Sequence, residues 1–310
     1  MHCRSYVVQL LGCCILSTRI FAGESARDVA PSATTETAAS ESTFSLPCEF
    51  DAEETYIAGA DVVRGNREVR DFDEGDSIMR FVLTPRIKFG VLRLGVEWER
   101  FSFGFPDQTQ LPNTLQSANL IVGLDTQLAD SFLIRIEAQP GIYGTNDFST
   151  DDFNVPFVLG GTYIYSPNVQ LVFGVGVDFD RKYPVLPGGG VRWKMAPKWV
   201  LNAVLPTPRL EFEAAKSVTI YGGATLKETN FRVTDDFGTK HGIRRLNSAV
   251  LTYSEVRTGV GVDWKLTSAI TLSGEVGYQP YRTFDFHRSD VRYHEDSGAP
   301  YGMISLHGAF

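Results

Sequence analysis

The chain has 310 residues, of which 37 are acidic and 29 basic, giving a formal net charge of −8. An acidic surface does not neutralise phosphates, so nucleic acid is excluded as an expected partner. The chain contains no apolar run of about 18 residues, which excludes an ordinary transmembrane helix but not a transmembrane β-barrel, whose strands alternate apolar and polar residues. The 29 glycines and 21 phenylalanines are typical of a protein built from strands and turns.

The N-terminal segment predicts export from the cytoplasm. Residues 1–22 combine His2 and Arg4 with an apolar core and small residues near position 22, which is the pattern of a cleaved signal peptide. Cys13 follows Leu-Leu-Gly and offers lipidation as a less favoured alternative. Residues 23–54 are rich in Ser, Thr, Ala and Glu and predict a disordered linker. Residues 56–310 then form the predicted barrel domain.

Apolar residues alternate with polar ones through most of that domain. A first strand is predicted over residues 56–63, then a charged loop over residues 67–76, and steady alternation from residue 81 onward. The apolar faces contain no Lys, Arg, Asp or Glu, and several alternating runs last about nine to eleven residues, as tilted membrane strands require. A soluble β-sandwich that binds a ligand remains an alternative, because a dry core would also keep these faces free of charge.

Connection lengths also favour the barrel. Short links, such as residues 129–131 and 166–168, alternate with mostly longer polar connections, such as residues 144–154 and 280–298. This arrangement places short periplasmic turns on one rim and longer extracellular loops on the other. The predicted fold is therefore all-β, a closed antiparallel up-and-down transmembrane β-barrel of about 12–14 strands. The count is even with or without the two weakest strands, at residues 56–63 and 210–212.

The last twelve residues carry the clearest strand pattern. Phe310, Leu306 and Ile304 share one face that has no polar side chain, and the strand runs to the final residue. In this respect the chain resembles bacterial outer-membrane β-barrel proteins, whose last strand carries a signal for the barrel-assembly machinery. The resemblance implies that these three residues form the assembly signal, although Gly308 and Gly302 stand where larger residues are usual. It also implies outer-membrane lipid and the assembly machinery as partners, and the bacterial outer membrane as the location.

A narrower resemblance rests on two segments in the middle of the chain. Residues 195–202 (MAPKWVLN) and 205–212 (LPTPRLEF) are similar to a domain-of-unknown-function family of predicted outer-membrane barrels. The resemblance covers about residues 56–310. It brings no catalytic residues and no cofactor.

Charged residues of the opposite parity are predicted to line the lumen. Basic and acidic members nearly balance, so they predict either a watery channel with little charge preference or an ion-paired network that fills the barrel. The predicted lining residues are Arg86, Arg93, Glu97, Asp125, Arg135, Glu137, Asp178, Arg192, Arg257, Asp263 and Glu275, with Lys88, Glu99, Lys194, Lys227 and Lys265 at the same parity.

The sequence favours a non-enzymatic barrel that acts as a passive porin-like channel for small solutes. An alternative is a barrel-embedded, lipase-like hydrolase that uses loop residues near His287, with Asp285 and Ser289 as neighbours. His287 and His294 also lie among several acids, but their spacing fits no established metal-binding pattern. No cofactor or metal site is therefore predicted.

Overall fold

The computed structural model describes residues 47–105 and 110–310. The predicted signal peptide, Cys13 and most of the predicted linker lie outside the described residues. The first strand, β1, spans Cys48–Arg64, so residues 48–54 are part of the wall rather than of the linker. The sequence pattern concealed this because both faces of that part of β1 are mixed: Glu49, Asp51 and Glu53 point to the lumen, and Glu54 points outward.

Fourteen antiparallel strands in chain order form the wall. Four of them are briefly interrupted and then continue at the same position in the sheet. The strands after β1 are β2 (Arg67–Leu83, continued by Arg86–Ile87), β3 (Gly90–Gly104), β4 (Thr114–Ala129), β5 (Phe132–Ala138, continued by Gly141–Gly144), β6 (Phe153–Asn154, continued by Phe157–Ser166), β7 (Val169–Val177), β8 (Val185–Ala196), β9 (Trp199–Val204), β10 (Arg209–Ala215), β11 (Val218–Arg232), β12 (Val250–Lys265), β13 (Ile270–Phe286) and β14 (Val291–Glu295, continued by Ala299–Ala309).

The last strand closes the sheet on the first. Strand β14 pairs with β1 in a register that runs from Ala309 opposite Glu49 to Tyr301 opposite Ile57. At the periplasmic end, the Phe310 amide donates to the Cys48 carbonyl oxygen at 2.9 Å, and the Cys48 amide donates back at 3.1 Å. Closure leaves no unpaired edge in lipid. The predicted closed barrel is therefore confirmed, and the alternative of a two-sheet sandwich is wrong.

The predicted rims are also confirmed, with two corrections to the loops. Short turns and the C-terminus share one end of the barrel, and most of the longer connections lie at the other. The predicted charged loop over residues 67–76 is instead the first part of β2, which follows β1 after a tight turn at Gly65, whose φ of 57° suits glycine. Residues 280–298, also predicted as loop, contain the ends of β13 and β14. These strands extend beyond the apolar belt, where charged residues are tolerated.

The exterior of the barrel is apolar over a broad belt. Val276 is 62% exposed and Ile304 is 57% exposed, although both are large hydrophobic residues. On the β1–β3 side the belt ends at a polar row in which Glu54 pairs in register with Ser77, and Ser77 with Arg100. A closed sheet with an even number of strands and a belt of this kind is the architecture of bacterial outer-membrane proteins. The predicted location in the outer membrane is confirmed.

Helices are few and short. The described residues contain one α-helical turn, Phe237–Lys240, and two 3₁₀ turns, Thr150–Asp152 and Arg244–Leu246, all in connections at the extracellular end. No helix in residues 47–105 or 110–310 is long and apolar enough to cross a membrane. The turns between β11 and β12 place Phe237 and Leu246 inside the barrel mouth.

The hydrophobic core fills the extracellular end of the barrel, and we call it the aromatic cap. Its rings pack closely: the Phe101 and Tyr253 centroids are 4.8 Å apart, and those of Phe103 and Phe284 are 5.2 Å apart. The strands that supply it are the long ones, which rise above the membrane on one side of the barrel. The cap consists of Val62, Phe72, Phe101, Phe103, Leu111, Leu115, Tyr143, Phe231, Val233, Phe237, Leu246, Leu251, Tyr253, Phe284, Phe286, Val291 and Tyr293.

Candidate functional site in the lumen

The periplasmic half of the lumen carries paired charges on β1, β3, β4 and β5. Arg93 donates to both carboxylate oxygens of Glu49, at 3.1 and 2.8 Å. Its Nε also lies 3.6 Å from Glu137. Arg135 binds Asp125 through Nε and Nη2, each at 2.6 Å. The structure thus brings four of the predicted lining residues, Arg93, Asp125, Arg135 and Glu137, into two ion-paired groups.

The opposite wall holds a second polar group on β10, β12, β13 and β14. Asp263 accepts a hydrogen bond from Ser273 at 2.8 Å and lies 3.7 Å from Nη1 of Arg209. Glu275 accepts a hydrogen bond from the Tyr301 hydroxyl. Asp263 and Glu275, both predicted to line the lumen, are therefore bound to neighbours within the wall.

Above these groups, opposite walls of the barrel meet through Lys227. Its Nζ lies 2.7 Å from Asp76 Oδ2 and 2.7 Å from Glu99 Oε1, so a residue of β11 joins β2 and β3. The same ammonium lies 4.5 Å from the centroid of the Phe101 ring. The neighbouring Arg257 of β12 lies 3.6 Å from Asp76. Since β2 is not adjacent to β11 or β12 in the wall, these contacts cross the lumen.

A further buried ion pair lies against the aromatic cap. Arg282 of β13 donates to Glu74 of β2 at 3.0 Å, and the Tyr253 hydroxyl donates to the same carboxylate at 2.7 Å. Nη2 of Arg282 also donates to the Phe72 carbonyl oxygen at 3.1 Å. All four side chains are fully buried. The side of the barrel formed by β11–β14 and β1–β3 is therefore filled rather than open.

The other face of β11 is covered as well. Asn230 donates to Asp178 at 2.6 Å, and Arg181, in the connection after β7, donates to the Glu228 carbonyl oxygen at 2.9 Å. Strand β9 ends at Val204 and β10 begins at Arg209, so the extracellular half of β11 has no neighbouring strand on that side. With one face on β2 and β3 and the other on the β7–β8 connection, β11 divides the lumen.

A cavity of about 70 Å³ remains between β11, β2 and β3 on one side and β4 to β6 with the β7–β8 connection on the other. A buried water needs roughly 10 to 15 Å³ of such volume, so the cavity can hold several waters or one small polar solute. Three cations and three anions line it, which leaves no net charge: Arg80, Arg181 and Lys227 against Glu97, Glu99 and Asp178. Ile78, Ser117, Gln139, Tyr143, Pro156, Pro206, Thr207, Thr225, Leu226, Thr229 and Asn230 complete the lining.

Two predicted lining residues lie away from these groups. Arg86 is exposed at the periplasmic end of β2, and Arg192 is half-buried on β8, below the cavity. Sequence reasoning missed Glu74, Asp76, Arg80 and Arg282. Arg80 could have been found, because its parity is opposite to that of the outward Phe81. Glu74 and Asp76 were hidden in a charged run that predicts a loop by default.

In the part of the chain that the structure describes, Ser289 and His287, both considered for hydrolysis, do not hydrogen-bond to each other. The Ser289 hydroxyl donates to the Arg245 carbonyl oxygen at 2.8 Å, so its single proton is directed away from His287. Nδ1 of His287 is buried with no hydrogen-bond partner. Across residues 47–105 and 110–310, no group of three or more His, Cys, Asp or Glu side chains is arranged to hold a metal ion.

Comparison with known sequences gives one family match. The family model Domain of unknown function (DUF6268) matches residues 84–298, from the end of β2 to the interruption in β14. No curated protein matches the sequence.

Several solved structures are similar to the chain at low sequence identity. The COG4313 outer membrane channel from Pseudomonas putida F1 is 11% identical with a TM-score of 0.47, covering 89% of this chain and 100% of that one. The P. putida toluene transporter TodX is 10% identical with a TM-score of 0.42, covering 85% and 90%. The KdgM porin in complex with disordered oligogalacturonate is 10% identical with a TM-score of 0.36, covering 84% and 99%.

Proposed function

The chain belongs to the family Domain of unknown function (DUF6268), and we propose that it acts as a narrow porin-like channel for small polar solutes. The observation that supports this proposal is the charged, sign-balanced cavity inside a closed membrane barrel. A stable barrel does not need an unfilled polar cavity, since a well-packed apolar filling would leave no buried polar group to desolvate. A polar cavity left open beside the filled half of the lumen is suited to the passage of small solutes.

The route runs along the β4–β8 side of the lumen. Gln170, Arg192 and Lys194 face inward at the periplasmic end and are only partly buried, or exposed in the case of Lys194. They lead upward to the cavity beneath Asp178 and Arg181. The aromatic cap closes the other side of the extracellular end. We infer that solutes pass beneath the β7–β8 connection and not through the cap.

The lining sets the expected selectivity. Three positive and three negative groups around the cavity leave no net charge on its lining, so small cations and anions should cross with similar ease. The size of the cavity limits passage to ions and small molecules of a few non-hydrogen atoms. Conductance should therefore be small and only weakly selective.

Purified protein in planar bilayers tests this proposal. Discrete, small conductance steps are expected, with a reversal potential close to zero across a potassium chloride gradient. Folding of each sample is established independently by heat-modifiable migration in a mild detergent gel. A correctly folded barrel that never conducts would overturn the channel function and leave a structural or binding role.

A further inference from the structure

One arginine in the lumen differs from its neighbours in the way its guanidinium is used. Arg80 of β2 is 8% exposed, yet its Nε and Nη2 have no hydrogen-bond partner. Its nearest carboxylates are Glu97, at 3.8 Å from Nε, and Asp51, at 3.9 Å from Nη1. Both distances exceed those of a hydrogen bond. A buried guanidinium left in this state is costly, because each unsatisfied donor keeps its desolvation penalty.

Two neighbouring luminal arginines show how a pair of nitrogens along one edge of a guanidinium normally binds. Arg135 uses the same pair of atoms, Nε and Nη2, to hold both oxygens of Asp125 at 2.6 Å. Arg93 holds both oxygens of Glu49 through its two terminal nitrogens. In each case two parallel N–H groups match the two oxygens of one carboxylate. The edge of Arg80 has this geometry without a carboxylate in place.

A second unsatisfied group stands in the same row. Strand register places Arg80 opposite Glu97, and Glu97 opposite Asn119 of β4. Asn119 is 5% exposed, and neither its amide nitrogen nor its amide oxygen has a hydrogen-bond partner. Buried polar atoms in native proteins are rarely left in this state, so two such residues in one row require an explanation.

We propose that Arg80 and Asn119 form a binding site for a small solute that carries a carboxylate group. The solute carboxylate takes the Nε and Nη2 edge of Arg80, and the Asn119 amide donates to it from the other side of Glu97. Because Glu97 Oε2 lies 3.8 Å from Nε of Arg80, the solute carboxylate replaces no hydrogen bond between these two residues. This inference rests on the proposed channel function, because it names the class of solute that the cavity holds during passage.

The size of the cavity agrees with this class. A volume of about 70 Å³ suits a solute of acetate size rather than a sugar acid. Arg181 and Lys227 also line the cavity, but each already makes a short polar contact: Arg181 donates to the Glu228 carbonyl oxygen at 2.9 Å, and Lys227 lies 2.7 Å from Glu99. Arg80 is the lining cation with two guanidinium nitrogens that lack a hydrogen-bond partner, so it is the group that gains most from an added carboxylate.

Binding of acetate to the purified barrel in detergent micelles tests the site without reference to conductance. The measurement is line broadening and shift of ¹³C-labelled acetate as protein is titrated, with chloride and methanol as competitors. Acetate should bind, methanol should not compete, and Arg80→Gln should weaken binding at least tenfold, the loss expected for a charge-assisted bidentate pair.

Two further variants separate the effect of the two-donor edge of Arg80 from the effect of its positive charge. Arg80→Lys keeps the positive charge and loses the two-donor edge, so it should also weaken acetate binding at least tenfold. Arg86→Gln removes a guanidinium that is exposed at the periplasmic end of β2, away from the cavity, and it should leave acetate binding within twofold of the parent. Heat-modifiable migration shows that each variant has folded, and if Arg80→Gln does not fold, Arg80→Lys decides the matter.

The outcomes distinguish this inference from the channel function. Acetate binding that depends on the Arg80 edge, in a barrel that does not conduct, would support the site and overturn the channel. Conduction without acetate binding, or binding that Arg80→Lys leaves unchanged, would overturn the site. Competition by chloride as strong as acetate itself would show a general anion site and would likewise overturn the carboxylate assignment.

Discussion

Replacing Lys227 with methionine should destabilise the barrel strongly, because this side chain joins opposite walls. Lys227 is 5% exposed, and its Nζ lies 2.7 Å from both Asp76, which is fully buried, and Glu99. Removing one partner of a buried ion pair typically costs about 3 to 5 kcal/mol, since the remaining carboxylates keep their desolvation penalty. Asp76 retains Arg257 at 3.6 Å, so the loss should lie near 3 kcal/mol.

The free energy of unfolding in urea, measured in detergent micelles or lipid vesicles, provides the assay. Lys194→Met is the matched control, because it removes the same charge from an exposed position on the inner face of β8 and should cost less than about 0.5 kcal/mol. Adding Asp76→Asn to Lys227→Met should restore part of the loss by neutralising the stranded carboxylate. A Lys227→Met barrel as stable as the Lys194→Met barrel would refute the interpretation of Lys227 as a bridge between walls.

Three other predictions concern the exterior, the C-terminus and a loop. Val276→Arg on the lipid face should lower the free energy of unfolding by about 2 to 4 kcal/mol, whereas Thr271→Arg on the inner face of β13 should not, as urea titrations of both will show. Deleting Phe310 should lower the fraction of heat-modifiable barrel recovered from outer membranes, whereas Phe310→Tyr should assemble normally; equal recovery of the deletion would exclude an assembly signal there. Burial, and then the charge of Arg288, lower the pKa of His287, so the folded state resists protonation of this side chain. The contribution of His287 to stability is therefore present above about pH 6.5 and should decline as the pH falls below that value. His287→Gln should flatten this decline, measured as the thermal midpoint between pH 7 and pH 5.

The architecture of the wall was predictable because lipid imposes a strict rule on every outward position. A period of two with no charge on one face leaves few alternatives once the strands are long enough to span a bilayer. The same rule identified Ile304, Leu306 and Phe310 as one face of the closing strand, and all three side chains are exposed on the exterior. The limits of the strands were less predictable, since above the membrane the rule no longer applies. Strand β1 and the first part of β2 therefore lacked a clear signal.

The interior was predictable by parity but not by pairing. Arg93, Asp125, Arg135 and Glu137 were identified as luminal from their positions opposite apolar residues, yet nothing local indicates which of them bind one another. The contacts that narrow the lumen join residues far apart in the chain. Lys227 and Asp76 are 151 positions apart, and Arg282 and Glu74 are 208 apart. Their meeting depends on how far the wall bends inward, which short-range patterns do not encode.

The same ion pairs that stabilise this barrel also limit its width. A circular wall of fourteen strands would leave a broad lumen, since barrels of about sixteen strands already enclose open channels. Here Lys227, Arg257 and Arg282 draw β11–β13 onto β2, and the aromatic cap fills the space above them. Each buried cation needs compensation for its lost hydration, and acidic residues of the facing wall provide it in place of water. The cavity lies beside these bridges, between β11, β2 and β3 on one side and β4 to β6 with the β7–β8 connection on the other. The proposed passage thus lies next to the contacts that join the walls, with Lys227 and Glu99 both in such a contact and in the lining of the cavity.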